Sequence, residues 1–236
     1  MAPPLWKKWL SYLWELHVES ASSELNPHLY VSLKNGRYQL STANAVYSYA
    51  DLYDNFVKAF QAVPLDELPG DEALILGLGL GSIPVILEKK MGRRYYYTAI
   101  EADEAVIDLA SRYALPDLQS NIQLICADAY AYVMQSNPEE MTYDLICMDI
   151  FEDDKVPELF ETPELLSQLG ALLSPGGLLL YNRLALSAAD IQLTRDFYYN
   201  TFVKVFPEGA YLDVDGNWIL LNDRQWLQHK KRRADR

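Results

Sequence analysis

The stretch that most narrows what this chain can become is residues 71–101, DEALILGLGLGSIPVILEKKMGRRYYYTAIE. A short apolar run, residues 73–76, enters a turn spaced by Gly77, Gly79 and Gly81. A helix-forming segment follows, and a second apolar run ends on Glu101. Strand, glycine loop, helix and strand in that order make a nucleotide-binding unit. Glycines allow a tight turn and let backbone N–H groups approach a ligand closely. The helix N-terminus behind them adds partial positive charge. An acid roughly 20 residues further on accepts hydrogen bonds from both hydroxyls of a ribose. The spacing is GxGxG, and a glycine motif by itself is a weak signal. The competing reading is a glycine turn needed only for close packing.

The remainder of the chain selects among nucleotides. After a linker containing Pro64, Pro69 and Gly70, strand patterns fall near 73–77, 95–100, 122–126, 143–149 and 178–181. Helical patterns alternate with them near 82–91, 103–113, 128–136 and 162–173. That rhythm predicts a parallel sheet covered on both faces. A helix near 187–204 then leads to GAYLDVDGNWILLN, two strand patterns joined around Asp215-Gly216, which predicts an antiparallel hairpin. A dinucleotide-binding sheet would add another parallel crossover instead. The expected fold is α/β, a Rossmann-like class I S-adenosylmethionine methyltransferase sheet ending in an antiparallel hairpin. This lowers the standing of an NAD(P)-dependent oxidoreductase.

Ahead of the linker, residues 16–41 read as a small β part. Its two clearest strands flank Asn35-Gly36, a pair suited to a turn that needs positive φ at both central positions. Residues 1–66 form the expected N-terminal helix and β-hairpin region, 67–224 the cofactor-binding domain, and 225–236 a basic tail beginning HKKRR at His229. Trp6, Trp9, Leu10, Leu13 and Trp14 fall at helical spacing. This stripe is expected to pack on the protein or on a second subunit, a membrane surface being the alternative. Charged residues interrupt it, so it reads neither as a signal peptide nor as a transmembrane segment.

Composition excludes some functions. A net charge of −13 over 236 residues argues against nucleic acid as a partner, since phosphate binding depends on Lys and Arg. Cys126 and Cys147 lie in strand-like runs. Both are expected to be buried free thiols in a reducing, cytoplasmic compartment. His17, His28 and His229 are scattered and offer no metal-ligand spacing.

Two further carboxylates end predicted strands. Asp128, followed by Ala129, is placed to accept from an adenine amino group while the next backbone N–H reaches a ring nitrogen, or simply to cap the following helix. Asp149 ends the fourth strand. In open α/β sheets ligands lie beyond the carboxyl ends of the strands. There Asp149 would act as a base toward an amine or hydroxyl, or bind a cation; the bland reading is an acidic loop capping the next helix. Glu152, Asp153 and Asp154 follow it.

These stretches together resemble the spermidine synthase family of class I S-adenosylmethionine-binding proteins. The resemblance runs from about residue 18 to 222 through NAVYSYADLY, LILGLGLGS, AIEADEAVIDLA, CADAYAYV, YDLICMDIFEDD and LLSPGGLLL. It implies S-adenosylmethionine or decarboxylated S-adenosylmethionine as cofactor, a small acceptor, possible amine chemistry and a possible homodimer. It assigns Gly77, Gly79 and Gly81 to the cofactor's amino-acid end, Glu101 to the ribose, and Asp128 and Ala129 to the adenine. Asp149 matches the acid that helps deprotonate the attacking amine, Tyr49 a substrate-site tyrosine, and Glu152 a second acceptor-side acid. Leu80 stands where the family loop has an acid, and Tyr49-Ala50-Asp51 stands where it has Tyr-His-Glu or Tyr-Gln-Glu. Two readings follow: a transferase of methyl or aminopropyl groups, or a catalytically inactive, regulatory cofactor-binding protein.

Overall fold

A computed structural model describes residues 3–42, 46–152 and 155–227. A short helix, α1 (Leu5–Leu10), precedes four strands, β1 (Leu16–Ala21), β2 (Leu29–Lys34), β3 (Arg37–Ser41) and β4 (Val46–Ser48). They pair antiparallel in sequence order. Asn35 and Gly36 take φ of 48° and 73°, as the tight β2–β3 turn requires.

Helix α2 (Asp54–Ala62) leads to β5 (Glu72–Leu76). Then come α3 (Ser82–Val85, continued by a π turn, Ile86–Lys90), β6 (Tyr96–Glu101), α4 (Glu104–Tyr113), β7 (Asn121–Cys126), α5 (Ala129–Gln135) and β8 (Tyr143–Met148). There follow α6 (Pro163–Ala171), β9 (Leu173–Leu184), α7 (Ala188–Phe197, prolonged by Tyr198–Phe202 and Val203–Val205), β10 (Ala210–Asp213) and β11 (Asn217–Leu221). The second sheet has the order β10-β11-β9-β8-β5-β6-β7. Strands β5 to β9 run parallel, while β11 and β10 close the edge antiparallel. The path runs outward from β5 through β6 to β7, then returns to the other side of β5 at β8. This reversal opens a crevice at the carboxyl ends of β5 and β8.

The period-2 side-chain alternation of strands divides the core into two layers. On β5, Ala73 and Ile75 join the layer of Phe56, Phe60, Ile86 and Leu180. Leu74 and Leu76 join that of Leu165, Leu169, Tyr181 and Phe202. All six residues of β8 are buried, which is why YDLICM reads as a continuous apolar run. The small sheet is fastened to the large one by side chains. Arg112 on α4 forms an ion pair with Glu19 on β1 at 2.6 Å, and Asp103 accepts hydrogen bonds from Ser23 and Asn26.

Two expectations need correction. Cys147 is buried, but Cys126 is exposed. It ends β7, the outer strand of the sheet, so only one side of it is covered. The N-terminal stripe does not pack on its own chain: Trp6, Trp9, Leu13 and Trp14 are all exposed. Its helix is only six residues long. The contacts that hold it to the β2–β3 turn are polar, Asn35 N–H donating to the Ser11 carbonyl and Gly36 N–H to Ser11 Oγ. The aromatic rings are thereby left outward. The basic tail from His229, like Asp153 and Asp154, lies outside the described residues. No helix among the described residues is long and apolar enough to cross a membrane.

Candidate functional site

A cavity of about 740 Å³ occupies the crevice. The glycine loop, the ends of β6, β7 and β8, and residues of the N-terminal part wall it. Gly77 and Gly79 line it, with φ of 88° and 53°. A Cβ on Gly77 would run into the backbone carbonyl of Asp149, and one on Gly79 would sit 3.0 Å from Ser48 Cβ. Glycine is thus required here both by φ and by close backbone approach. Gly81 is different. It has positive φ and precedes α3, but a Cβ there would meet Leu115, and it is not part of the cavity wall. Leu80, at the position of the family's acid, is buried in the core. It neither fills the cavity nor replaces the missing charge.

Glu101 faces the loop directly. One carboxylate oxygen accepts from the N–H groups of Leu78 at 3.1 Å and Gly79 at 3.3 Å. The other accepts from Asp103 N–H at 3.2 Å. Burial raises its pKa, and these backbone donors oppose the rise. Asp128 caps α5, accepting from Ala131 N–H at 2.7 Å, and also lines the cavity with Ala129. Asp128 thus both caps α5 and borders the cavity.

Asp149 follows β8, its N–H bonded to the Leu76 carbonyl at 2.8 Å. Its Oδ1 accepts from Asn182 Nδ2 at 2.8 Å and from the Tyr53 hydroxyl at 3.3 Å. Burial pushes its pKa up to about 6, with both hydrogen bonds pulling the other way. A base with that pKa is ionised at neutral pH yet still proton-hungry, the range suited to proton transfer. Burial, and then the nearby Asp149 charge, push the Tyr53 phenol well above its ordinary value. It therefore acts as a donor.

The structure brings together Gly77, Gly79, Glu101, Asp128, Ala129, Asp149 and Glu152 around one space. It does not bring Tyr49 there. The Tyr49 hydroxyl accepts from Asn35 Nδ2 at 2.9 Å on the N-terminal hairpin. The next residue, Ala50, has a φ of 43°, and Asp51 forms an ion pair with Arg37. Tyr53, four residues later, lines the cavity instead. Asn26, Tyr47, Phe160 and Asn217 also line the wall. A sequence signal existed for Asn182, a lone amide inside the apolar run LLLYNRL, since a buried polar group needs a partner.

Electrostatically the wall is one-sided. Glu101, Asp103, Asp128, Asp149 and Glu152 line it, and among the described residues no Lys, Arg or His does. Such a low-dielectric cleft concentrates cations and repels anions.

No protein-family model matches the chain. It is 29% identical over 174 residues to a polyamine aminopropyltransferase of Vibrio vulnificus (strain CMCP6), covering 72% of this chain and 56% of the relative. It is 33% identical over 141 residues to an N-terminal histidine N-methyltransferase of Emericella nidulans, covering 58% of this chain and 24% of the relative. The chain thus spans about half the length of the first and about a quarter of the second. Among solved structures, spermidine synthase from Thermotoga maritima superposes with a TM-score of 0.64 at 17% identity, over 87% of this chain and 72% of that one. Human methyltransferase-like protein 13, in complex with SAH, superposes with a TM-score of 0.59 at 21% identity, over 76% and 87%. In fold the chain has the class I methyltransferase architecture, and in sequence it is similar to an aminopropyltransferase and to methyltransferases.

Proposed function

We propose that the chain is a transferase that binds S-adenosylmethionine or its decarboxylated form and delivers a methyl or aminopropyl group to a small amine. The observation that carries this is Asp149, a raised-pKa carboxylate that accepts from two hydrogen-bond donors, in a cavity whose charged lining residues, among the described residues, are all acids. The SAH held by one structural neighbour supports the cofactor class, and the name of the first relative supports the amine.

When bound, the cofactor supplies an electrophilic carbon beside a sulfonium. An amine nitrogen would bond to that carbon with a neutral thioether, keeping the carbon–sulfur electron pair, as the leaving group. The chain's own residues position and take the proton. Gly77 and Gly79 would hold the tail, Glu101 the ribose hydroxyls, and Asp128 with the Ala129 N–H the adenine edge. Asp149 receives the proton released by the amine, and Tyr53 and Glu152 wall the acceptor side. Positioning plus a general base is the whole of the catalysis this reaction asks for. The lack of a cation in the wall among the described residues favours the decarboxylated cofactor, which has no carboxylate to neutralise, and disfavours nucleic acid, whose phosphates need one. Mixing the chain with cofactor labelled in the transferred group and with polyamines tests the reading. Labelled amine is the expected product.

Leu80 favours a second reading, in which the cofactor binds and no group is transferred. The same experiment separates the two, since that reading predicts binding in a calorimeter and no labelled product. We further propose a 67–224 catalytic unit preceded by a substrate-side N-terminal part, a homodimer that covers the exposed tryptophans, and a reducing cytoplasmic setting for the free thiols.

A further inference from the structure

Asn182 lies on β9, beside β8, and is fully buried among Leu179, Leu180 and Tyr181. An amide in such a place is costly unless both of its ends are bonded. Both are. Its Nδ2 donates to Asp149 Oδ1 at 2.8 Å, and its Oδ1 accepts from Asn217 Nδ2 at 3.0 Å. The polarity is forced from the Asp149 end, because a carboxylate only accepts. Asn182 therefore turns its nitrogen to Asp149 and its oxygen to Asn217. Asn217 opens β11, the strand that pairs antiparallel with β9, and it also lines the cavity. The antiparallel edge of the sheet thereby reaches the carboxylate through one intervening amide. Tyr53 donates to the same oxygen from the opposite side. Two donors converge on Oδ1, and among the described residues Oδ2 has no hydrogen-bond donor.

We infer that Asn217 and Asn182 form a two-amide relay that pins Oδ1 of Asp149 and leaves Oδ2 as the oxygen that takes the proton. Both are positioning residues. Asn217 acts only through Asn182. The role assigned to Oδ2 rests on the transferase reading above, whereas the relay itself does not. The other ionisable groups around Asp149 do not duplicate it. The Cys147 thiol is buried two residues back on β8 and pushed far up by burial. Tyr53 is a neutral donor. On β9, Arg183 is committed to Glu161 at 2.6 Å. Glu101 and Glu152 share the cavity wall and bring no donor.

Carbon-13 NMR of the Asp carboxyl signals in the full chain tests the relay without any cofactor, the Asp149 signal being the one lost in Asp149→Asn. Asn182→Ala removes a donor that favours the charged form, so the Asp149 midpoint should rise by about one pH unit. Asn217→Ala should raise it by less, and the double variant no more than Asn182→Ala alone. Asn217→Gln, which keeps the amide, should restore part of the shift. Should Asn182→Ala fail to fold, the half-buried Asn217 pair of variants carries the test. The relay is overturned by a folded Asn217→Ala with an unchanged midpoint, or by shifts that add in the double variant. Shifted midpoints in a chain that binds no S-adenosyl compound would leave the relay standing and remove the transferase.

Discussion

At the scale of single residues, Asp149 and Gly77 are linked by more than proximity. Asp149 needs a buried place to hold a pKa near 6, and that burial depends on the glycine loop lying against its backbone. A side chain at position 77 would require positive φ and would collide with the Asp149 carbonyl. Gly77→Ala should therefore cost at least about 1–2 kcal/mol, read by urea unfolding, and should also lift the loop from the cofactor. For Asp149 the sign follows from proton binding. Its folded pKa lies above the unfolded value of about 3.9, so the folded state holds more protons between about pH 4 and 6. Stability contributed by this group falls as pH rises through that window and is level above it. Asp149→Asn should flatten that slope while lowering kcat by about 10²–10⁴-fold. In the parent enzyme, kcat/KM should fall about tenfold per pH unit below about 6, since the base is then protonated. A rate that is flat down to pH 4 would remove Asp149 as the base.

At the scale of elements, the parallel strands were readable because strands buried on both faces must be apolar throughout, as β8 is. The β2–β3 turn was readable because Asn35-Gly36 satisfies a backbone demand few other pairs meet. Asp128 was ambiguous from the sequence because one carboxylate can cap α5 and face a ligand, and here it does the first while positioned for the second. Substitutions separate the roles. Asp128→Asn keeps a cap and should cost little stability, whereas Asp128→Ala should cost about 1 kcal/mol. Both should weaken binding if the adenine contact holds. Tyr53 was missed in favour of Tyr49 for a reason of the same scale. Local spacing does not tell which tyrosine of this segment reaches the cavity: Tyr53 lines it, while the Tyr49 hydroxyl accepts from Asn35. Asn182 and Asn217 lie 35 residues apart, joined only by strand order, so their pairing was not legible before the sheet was.

At the scale of the whole molecule, an acidic chain gathers five carboxylates at one cleft and exposes three tryptophans at its N-terminal end. The first property was half legible. The net charge of −13 spoke against polyanions, but the gathering of five acids around one cavity required the crossover that brings the ends of β5 to β8 together. The second was legible as a stripe and not as a surface, because amphipathic spacing does not say what covers it. Leu5, Trp6, Trp9, Leu13 and Trp14 are each more than half exposed, and contiguous apolar surface of this kind marks contact sites. If a second copy covers them, Trp6→Ser with Trp9→Ser should convert a dimer to a monomer in sedimentation velocity, with the far-ultraviolet circular dichroism unchanged.

Everything proposed for the cavity depends on its taking a cationic S-adenosyl compound against Glu101 and the loop. Titration calorimetry of the full chain with decarboxylated S-adenosylmethionine tests that most directly. The account predicts one molecule bound per chain, with affinity reduced about tenfold or more in Glu101→Ala, the loss expected for hydrogen bonds to a charged group. No binding by the folded parent chain at millimolar ligand, or equal binding by Glu101→Ala, would contradict it.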